Sequence, residues 1–161
     1  MTQVQYLRYI IDKQRVHVDL DKIQVIRDWP SPTTLTELRN FLGLANFYRK
    51  FVLGFSYITW PLSQVTKRAA REKFFWSESQ KKSFIELKDR LCTAPLLALP
   101  NLQQSFEVET DASDYAIGAV LTQHRHPVAY HSEKLSDTVW KYPTYDKEMY
   151  SIVQAYRQWK H

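Results

Sequence analysis

The chain has 161 residues, 44% of them hydrophobic and 14% aromatic, and a net charge of +5, enough for one full domain or two small ones with a buried core. A lone cysteine, Cys92, excludes an internal disulfide and fits a reducing compartment. No apolar run is long enough to span a bilayer and Met1 to Ile10 carries no signal-peptide pattern, so the expectation is an intracellular chain with no membrane partner.

In chain order, "VQYLRYIIDKQRVHVD" alternates around a polar turn at Asp12–Gln14 and predicts a β-hairpin. Leu20, Ile23, Ile26 and Trp29 then recur at three-residue steps, a helix that Asp19 can cap and Pro30 stops. Thr34 and Glu37 form a capping-box pattern for a second helix, whose Leu35, Leu38, Leu42, Ala45 and Tyr48 line one face. The opposite face carries Arg39, Gly43, Asn46 and Lys50, with Arg49 beside it. Glycine costs about 1 kcal/mol inside a helix. A bare backbone flanked by Arg, Asn and Lys lets a phosphate strand approach closely. The other reading is that Gly43 packs against a neighbouring helix and the charges are merely solvated.

A short helix around Pro61–Thr66 is expected next, then the basic patch "TKRAAREK". A helix from Ser77 to about Cys92 follows, capped by Ser77 and Gln80 and striped by Phe84, Leu87 and Leu91. The proline-bearing "TAPLLALPNLQQS" has no clear period and sets a boundary near residue 100.

The charge changes sign at that boundary. Residues 1–100 hold 16 Lys and Arg against 9 Asp and Glu, whereas residues 101–161 hold 6 against 8. The first part could meet phosphates and the second could hold metal ions; the plain alternative is a chance imbalance. Phe106, Val108 and Thr110 alternate with Glu107, Glu109 and Asp111, predicting a strand with one acidic face. "YAIGAVLTQ" and "HPVAYHS" read as two further strands, with Gly118 allowing close backbone approach. Thr144 can cap a last helix, "YDKEMYSIVQAYRQW". There is no internal repeat and no low-complexity segment.

On that last helix Glu148 shares a face with Tyr145, Ile152 and Tyr156, and this stripe is expected to lie against the sheet. A carboxylate there is costly unless hydrogen-bonded, protonated or metal-bound. A helix crossing the strand that ends at Asp111 brings the two acids together. Magnesium takes such oxygen ligands, and two ions can clamp an in-line phosphoryl displacement. The plainer alternative is a solvated Glu and a turn-starting Asp. A calcium loop from Asp111 fails, because Ala116 stands where glycine is required and Thr122 where Glu is. An aspartic-protease motif fails on T-D-A-S, and a G-x-S-x-G elbow is absent. His124 and His126 flank Arg125 in an expected hairpin turn and read as surface residues, as does His131.

"TDASDYAIGAVLTQ", "HPVAYHSEKL" and "YPTYDKEMYSIV" resemble the first half of the RNase H domain of gypsy-class LTR retrotransposon polyproteins. "VDLDKIQVIRDWPSPTTLTELRNFLGLANFYRKFV" is similar to the end of the reverse transcriptase palm and the thumb. "FFWSESQKKSFIELKDRLCTAPLLALP" is similar to the connection. The resemblance implies an α+β fold: palm hairpin over 1–18, helical thumb and connection over 19–100, and over 101–161 the N-terminal part of an RNase H-like domain, an antiparallel three-stranded sheet with one helix. It implies that Asp111 and Glu148 match catalytic acids that bind magnesium, two ions in the complete parent site and weakly or not at all in this segment. The Arg39–Lys50 helix would grip a template–primer duplex or RNA–DNA hybrid, and the parent activity would be RNA-directed DNA synthesis coupled to degradation of RNA in the hybrid. The family's Y-x-D-D loop is not in this sequence and its remaining RNase H acids would lie beyond His161, so this segment alone is expected neither to polymerise nor to cleave efficiently. Arg8 and the turn "DKQR" depart from the family, which often has glycine at both places. The rival reading is a non-catalytic nucleic-acid-binding transposon relic; a third is a pseudogene product without a biochemical role.

Overall fold

A computed structural model of the chain describes residues 4–6, 9–12, 15–67 and 74–160. Arg8, Lys13 and Gln14 of the "DKQR" turn and most of the "TKRAAREK" patch lie outside the described residues. The chain runs β1 (Val4–Tyr6), β2 (Tyr9–Ile11), β3 (Arg15–Val18), α1 (Leu20–Arg27), α2 (Leu35–Phe47), a 3₁₀ turn (Arg49–Phe51), α3 (Phe55–Thr66), α4 (Glu78–Cys92), β4 (Leu97–Ala98), β5 (Glu107–Ala112), β6 (Ala116–Gln123), β7 (His126–Lys134), α5 (Asp137–Trp140) and α6 (Thr144–Trp159). This is the expected α+β architecture.

The helix starts follow local hydrogen-bond chemistry. Asp19 accepts from the Asp21 amide at 3.0 Å and Thr34 from the Glu37 amide at 3.2 Å. Ser77 and Gln80 form the full reciprocal box. Glu37 departs from the box pattern: its carboxylate accepts from the amide and hydroxyl of Thr33, which holds its pKa below the usual carboxylate value. At α6 the expected Thr144 cap is corrected, because Pro143 is the capping residue and offers no side-chain hydrogen bond.

A first core joins these helices. Leu38, Phe41, Ala45, Tyr48, Phe51, Leu62 and Leu87 have no exposed surface, and Phe41 lies 4.7 Å from the Phe84 ring centre and 5.9 Å from that of Trp29. Leu20 does not join the α1 stripe and is 71% exposed. The expected helix at Pro61–Thr66 begins instead at Phe55, with Pro61 inside it. A proline is harmless in the first turn of a helix, where its missing amide has no partner to lose. Here it leaves the Tyr57 carbonyl without its helical donor.

Two antiparallel sheets form, β1-β2-β3-β4 and β5-β6-β7. The two-residue β4 pairs Leu97 with Val16 and Ala98 with Arg15, so the segment that lacked any period closes the first sheet. Opposed residues in β5-β6-β7 include Asp111 with Gly118 and Gly118 with Ser132, then Ala112 with Ile117. Opposed side chains share a face. One face therefore carries Asp111, Gly118 and Ser132, the other Ala112 and Ile117.

The first face meets α3, where the Ser56 amide donates to Ser132 Oγ at 2.9 Å and Arg49 donates to the Ser132 carbonyl. The second is covered by α6 and α5, with Ile117, Leu135 and Val139 buried and Tyr150 packed against them. The face of α6 turned inward is Lys147, Ser151 and Ala155. The expected stripe is corrected: Tyr145, Ile152 and Tyr156 are at least half exposed. Small side chains at 151 and 155 let the helix axis approach the sheet, which bulky ones would prevent.

His131 is also corrected from surface to partly buried, its side chain 14% exposed. Burial and then the Arg49 charge press its pKa below the ordinary histidine value, against a smaller opposing pull from Glu133. A histidine less basic in the fold than in the unfolded chain favours the fold while neutral. This stability is complete above the unfolded pKa, about 6.5, and declines as pH falls toward the folded value. Urea midpoints are expected to drop between pH 7.5 and 5, and His131→Gln to flatten that slope.

Candidate metal and nucleic-acid site

The acids of β5 alternate as predicted, and Glu107, Glu109 and Asp111 are all exposed. A groove of about 400 Å³ opens on this face, lined by Leu53, Tyr57, Glu109, Asp111 and Val120. The Tyr57 hydroxyl, coming from α3, lies 3.4 Å from the Asp111 carbonyl oxygen and 3.5 Å from Asp111 Oδ2. Burial chiefly, then the Asp111 carboxylate, pushes the Tyr57 pKa up to about 12, and the Glu148 charge adds to the rise.

Glu148 is half-buried on α6, and α6 covers the Ala112–Ile117 face, the reverse of the one bearing Asp111. The two acids thus flank β5 from opposite faces, and what they share is the Tyr57 hydroxyl, touched by Asp111 and reached by Glu148 through its charge. Beside them Lys147 approaches Asp114 at 3.7 Å. Among the described residues no group of three or more His, Cys, Asp or Glu is placed to hold a metal ion. The oxygen donors of Asp111 and Glu148 suit magnesium in kind, though two residues fall short of a full ligand set.

At the other end of the sheet a cleft of about 330 Å³ is lined by Arg15, Gln123, His124 and His126. His124 and Arg125 form the hairpin turn with φ of 51° and 63°, and both histidines are exposed as expected.

The proposed duplex face lies on α2 and the turn after it. Arg39, Gly43, Asn46 and Lys50 are exposed. A Cβ built on Gly43 meets nothing within 4 Å, so this glycine packs against no helix among the described residues. Arg39 donates to the Thr66 carbonyl at 3.2 Å. Lys50 Nζ sits 4.1 Å from the Tyr9 ring centre, and burial lowers its pKa. Arg49 differs: it is half-buried, bonded to Ser132 and 5.9 Å from the Phe55 ring centre. It ties the two parts of the molecule together.

The family described as "RNase H-like domain found in reverse transcriptase" matches residues 76–161. The chain belongs to this family. It is 35% identical, over 94% of its length, to the retrovirus-related Pol polyprotein from transposon opus of Drosophila melanogaster, of which it covers 16%. It is 34% identical, over 99% of its length, to the transposon Tf2-3 polyprotein of Schizosaccharomyces pombe, of which it covers 12%. Its structure is similar, at a TM-score of 0.85 and 25% identity, to the foamy viral protease-reverse transcriptase solved in complex with RNA/DNA hybrid, and the match covers 97% of this chain and 22% of that one. The chain is thus a reverse transcriptase/RNase H segment of the kind carried in retrotransposon Pol polyproteins, and it spans less than a fifth of the curated relatives it matches. The RNase H-like match begins at Trp76, so Tyr57 lies outside it. Sequence reasoning missed this residue because α3 was read only from Pro61 onward. Its one signal was Gly118, the small residue against which the ring packs.

Proposed function

We propose that the chain is part of a gypsy-class Pol polyprotein, with the end of the palm at 1–18, thumb and connection over 19–100 and RNase H-like sequence from 101. Its parent activity is RNA-directed DNA synthesis with magnesium-dependent hydrolysis of RNA in RNA–DNA hybrids. The observation that carries this reading is the acidic groove at Asp111, set in a chain whose whole fold resembles a reverse transcriptase solved with such a hybrid. Asp111 and Glu148 would hold the ion, which supplies Lewis acidity and charge neutralisation for phosphoryl displacement. The part played by the chain's own residues is to present two oxygen donors from β5 and α6 and to keep Asp111 at the groove. Magnesium titration followed by amide shifts, in a Pol chain carrying its complete set of acids, tests this: saturable changes at Asp111 and Glu148 are expected, and their absence refutes the site.

The duplex would lie on the open α2 face, with the bare Gly43 backbone letting phosphates approach between Arg39, Asn46 and Lys50. Arg49, committed to Ser132, contributes by fixing this face relative to the sheet. Backbone contacts of this kind are salt-sensitive and largely blind to sequence. Gly43→Ala is expected to stabilise the fold by up to about 1 kcal/mol, since alanine is the better helix former and nothing occupies the space. The same change is expected to weaken duplex binding. Arg39→Ala is expected to lower the salt slope of binding by about one. Thermal melts and binding measured across salt concentrations read both effects.

A non-catalytic nucleic-acid-binding relic is the second reading. It is favoured by the lack of a three-ligand group among the described residues. Duplex binding without any magnesium response would establish it.

A further inference from the structure

From helix α3 the half-buried Tyr57 reaches Asp111 on the acidic face of β5. Its place is determined from three sides. A Cβ on Gly118 would lie 3.3 Å from Tyr57 Cε2, and one on Gly54 3.2 Å from Cδ2. Both glycines therefore leave the space that the ring occupies. On the third side Tyr115 meets Tyr57 edge-on, with ring centres 6.1 Å apart, and Tyr115 in turn stacks on Trp60 at 5.2 Å. An aromatic ring gripped in this way has little freedom to swing. Its hydroxyl faces the Asp111–Ser113 segment, 3.4 Å from the Asp111 main-chain oxygen and 3.5 Å from Oδ2 with the Ser113 side chain also in reach, and its single proton goes to one acceptor at a time. Asp111 itself is exposed, and no other hydrogen bond to its carboxylate is seen among the described residues. An exposed aspartate on a strand otherwise samples several rotamers.

We infer that Tyr57 is a positioning residue that holds the Asp111 carboxylate in one orientation at the groove, and so couples the placement of α3 to that of the acid. The geometry stands without a metal; its consequence for hydrolysis rests on the reading of Asp111 as a magnesium ligand. Because Tyr57 precedes the RNase H-like match, the acid is oriented from outside the domain that bears it. A shift of α3 relative to the sheet, of the kind a duplex gripped by neighbouring α2 could impose, would release the carboxylate.

The test uses the intact 161-residue chain. Three-bond couplings across the Asp111 side chain report its χ1 rotamers. A single rotamer is expected in the unsubstituted chain and rotamer averaging in Tyr57→Phe. Gly118→Ala, which presses a methyl group on the ring, is expected to give the same averaging with the hydroxyl still present. A purely structural tyrosine would instead change the melting temperature and leave the Asp111 couplings unmoved. Couplings that are single-rotamer in all three chains, or averaged in all three, overturn the inference. Magnesium titration is read separately in a Pol chain carrying its complete set of acids. If magnesium moves neither the Asp111 nor the Glu148 amide there, the metal reading fails, and the couplings alone decide the role of the tyrosine.

Discussion

In a Pol chain carrying its complete set of acids, Asp111→Asn is expected to lower magnesium-dependent hydrolysis of RNA in a hybrid by about a thousandfold. Removing one anionic ligand takes away several kcal/mol of transition-state charge stabilisation, and each 1.36 kcal/mol is about a factor of ten in rate. The substitution is nearly isosteric and the side chain is exposed, so the melting temperature should hardly move. The loss would then be chemical and not a failure to fold. Glu148→Gln is expected to act in the same direction. Glu148 is half-buried and Ser151 donates to its carbonyl at 2.7 Å, so the helix backbone is held independently of its carboxylate. Because α6 and Asp111 lie against opposite faces of β5, this second result is the sharper one. Full cleavage by Glu148→Gln would mean that the acid on α6 does not reach the groove around the strand edge.

Phe41→Ala is expected to give the largest loss of stability, about 3–5 kcal/mol. The ring is fully buried and meets Trp29 and Phe84, so it links α2 both to the segment after α1 and to α4. Domains of this size are stable by only about 5–15 kcal/mol, so about a fifth or more of the total would go. Chemical denaturation should show a lower midpoint at an unchanged slope. A cost below about 1 kcal/mol would mean that this core is far looser than its burial indicates.

Duplex binding separates the two parts of the molecule in a different way. The α2 face is basic and open, the β5 face acidic and grooved, and Arg49 joins them through Ser132. A hybrid lying on α2 would feel attraction at one end and repulsion at the other unless cations screen the acids. On the proposed function, magnesium would then matter for binding as well as for chemistry.

The amino-acid sequence by itself determined the caps at Asp19, Thr34 and Ser77, the apolar stripes of α2 and α4, the alternation of acids along β5 and the three strands around Gly118. These depend on neighbours within a few residues, and period and capping chemistry are legible at that range. It also carried the motifs around Asp111 and Glu148. Only the tertiary structure decided which face of α6 is covered. The helix offers a bulky apolar stripe and a small polar one, and close approach to the sheet selected Lys147, Ser151 and Ala155. Tertiary packing also brought Leu97–Ala98 onto β3, turned Arg49 from the duplex face to Ser132, drew His131 inward and set Tyr57 against Asp111. Each of these contacts joins residues tens of positions apart, where no local spacing records the pairing and only the shape of the folded chain can make it.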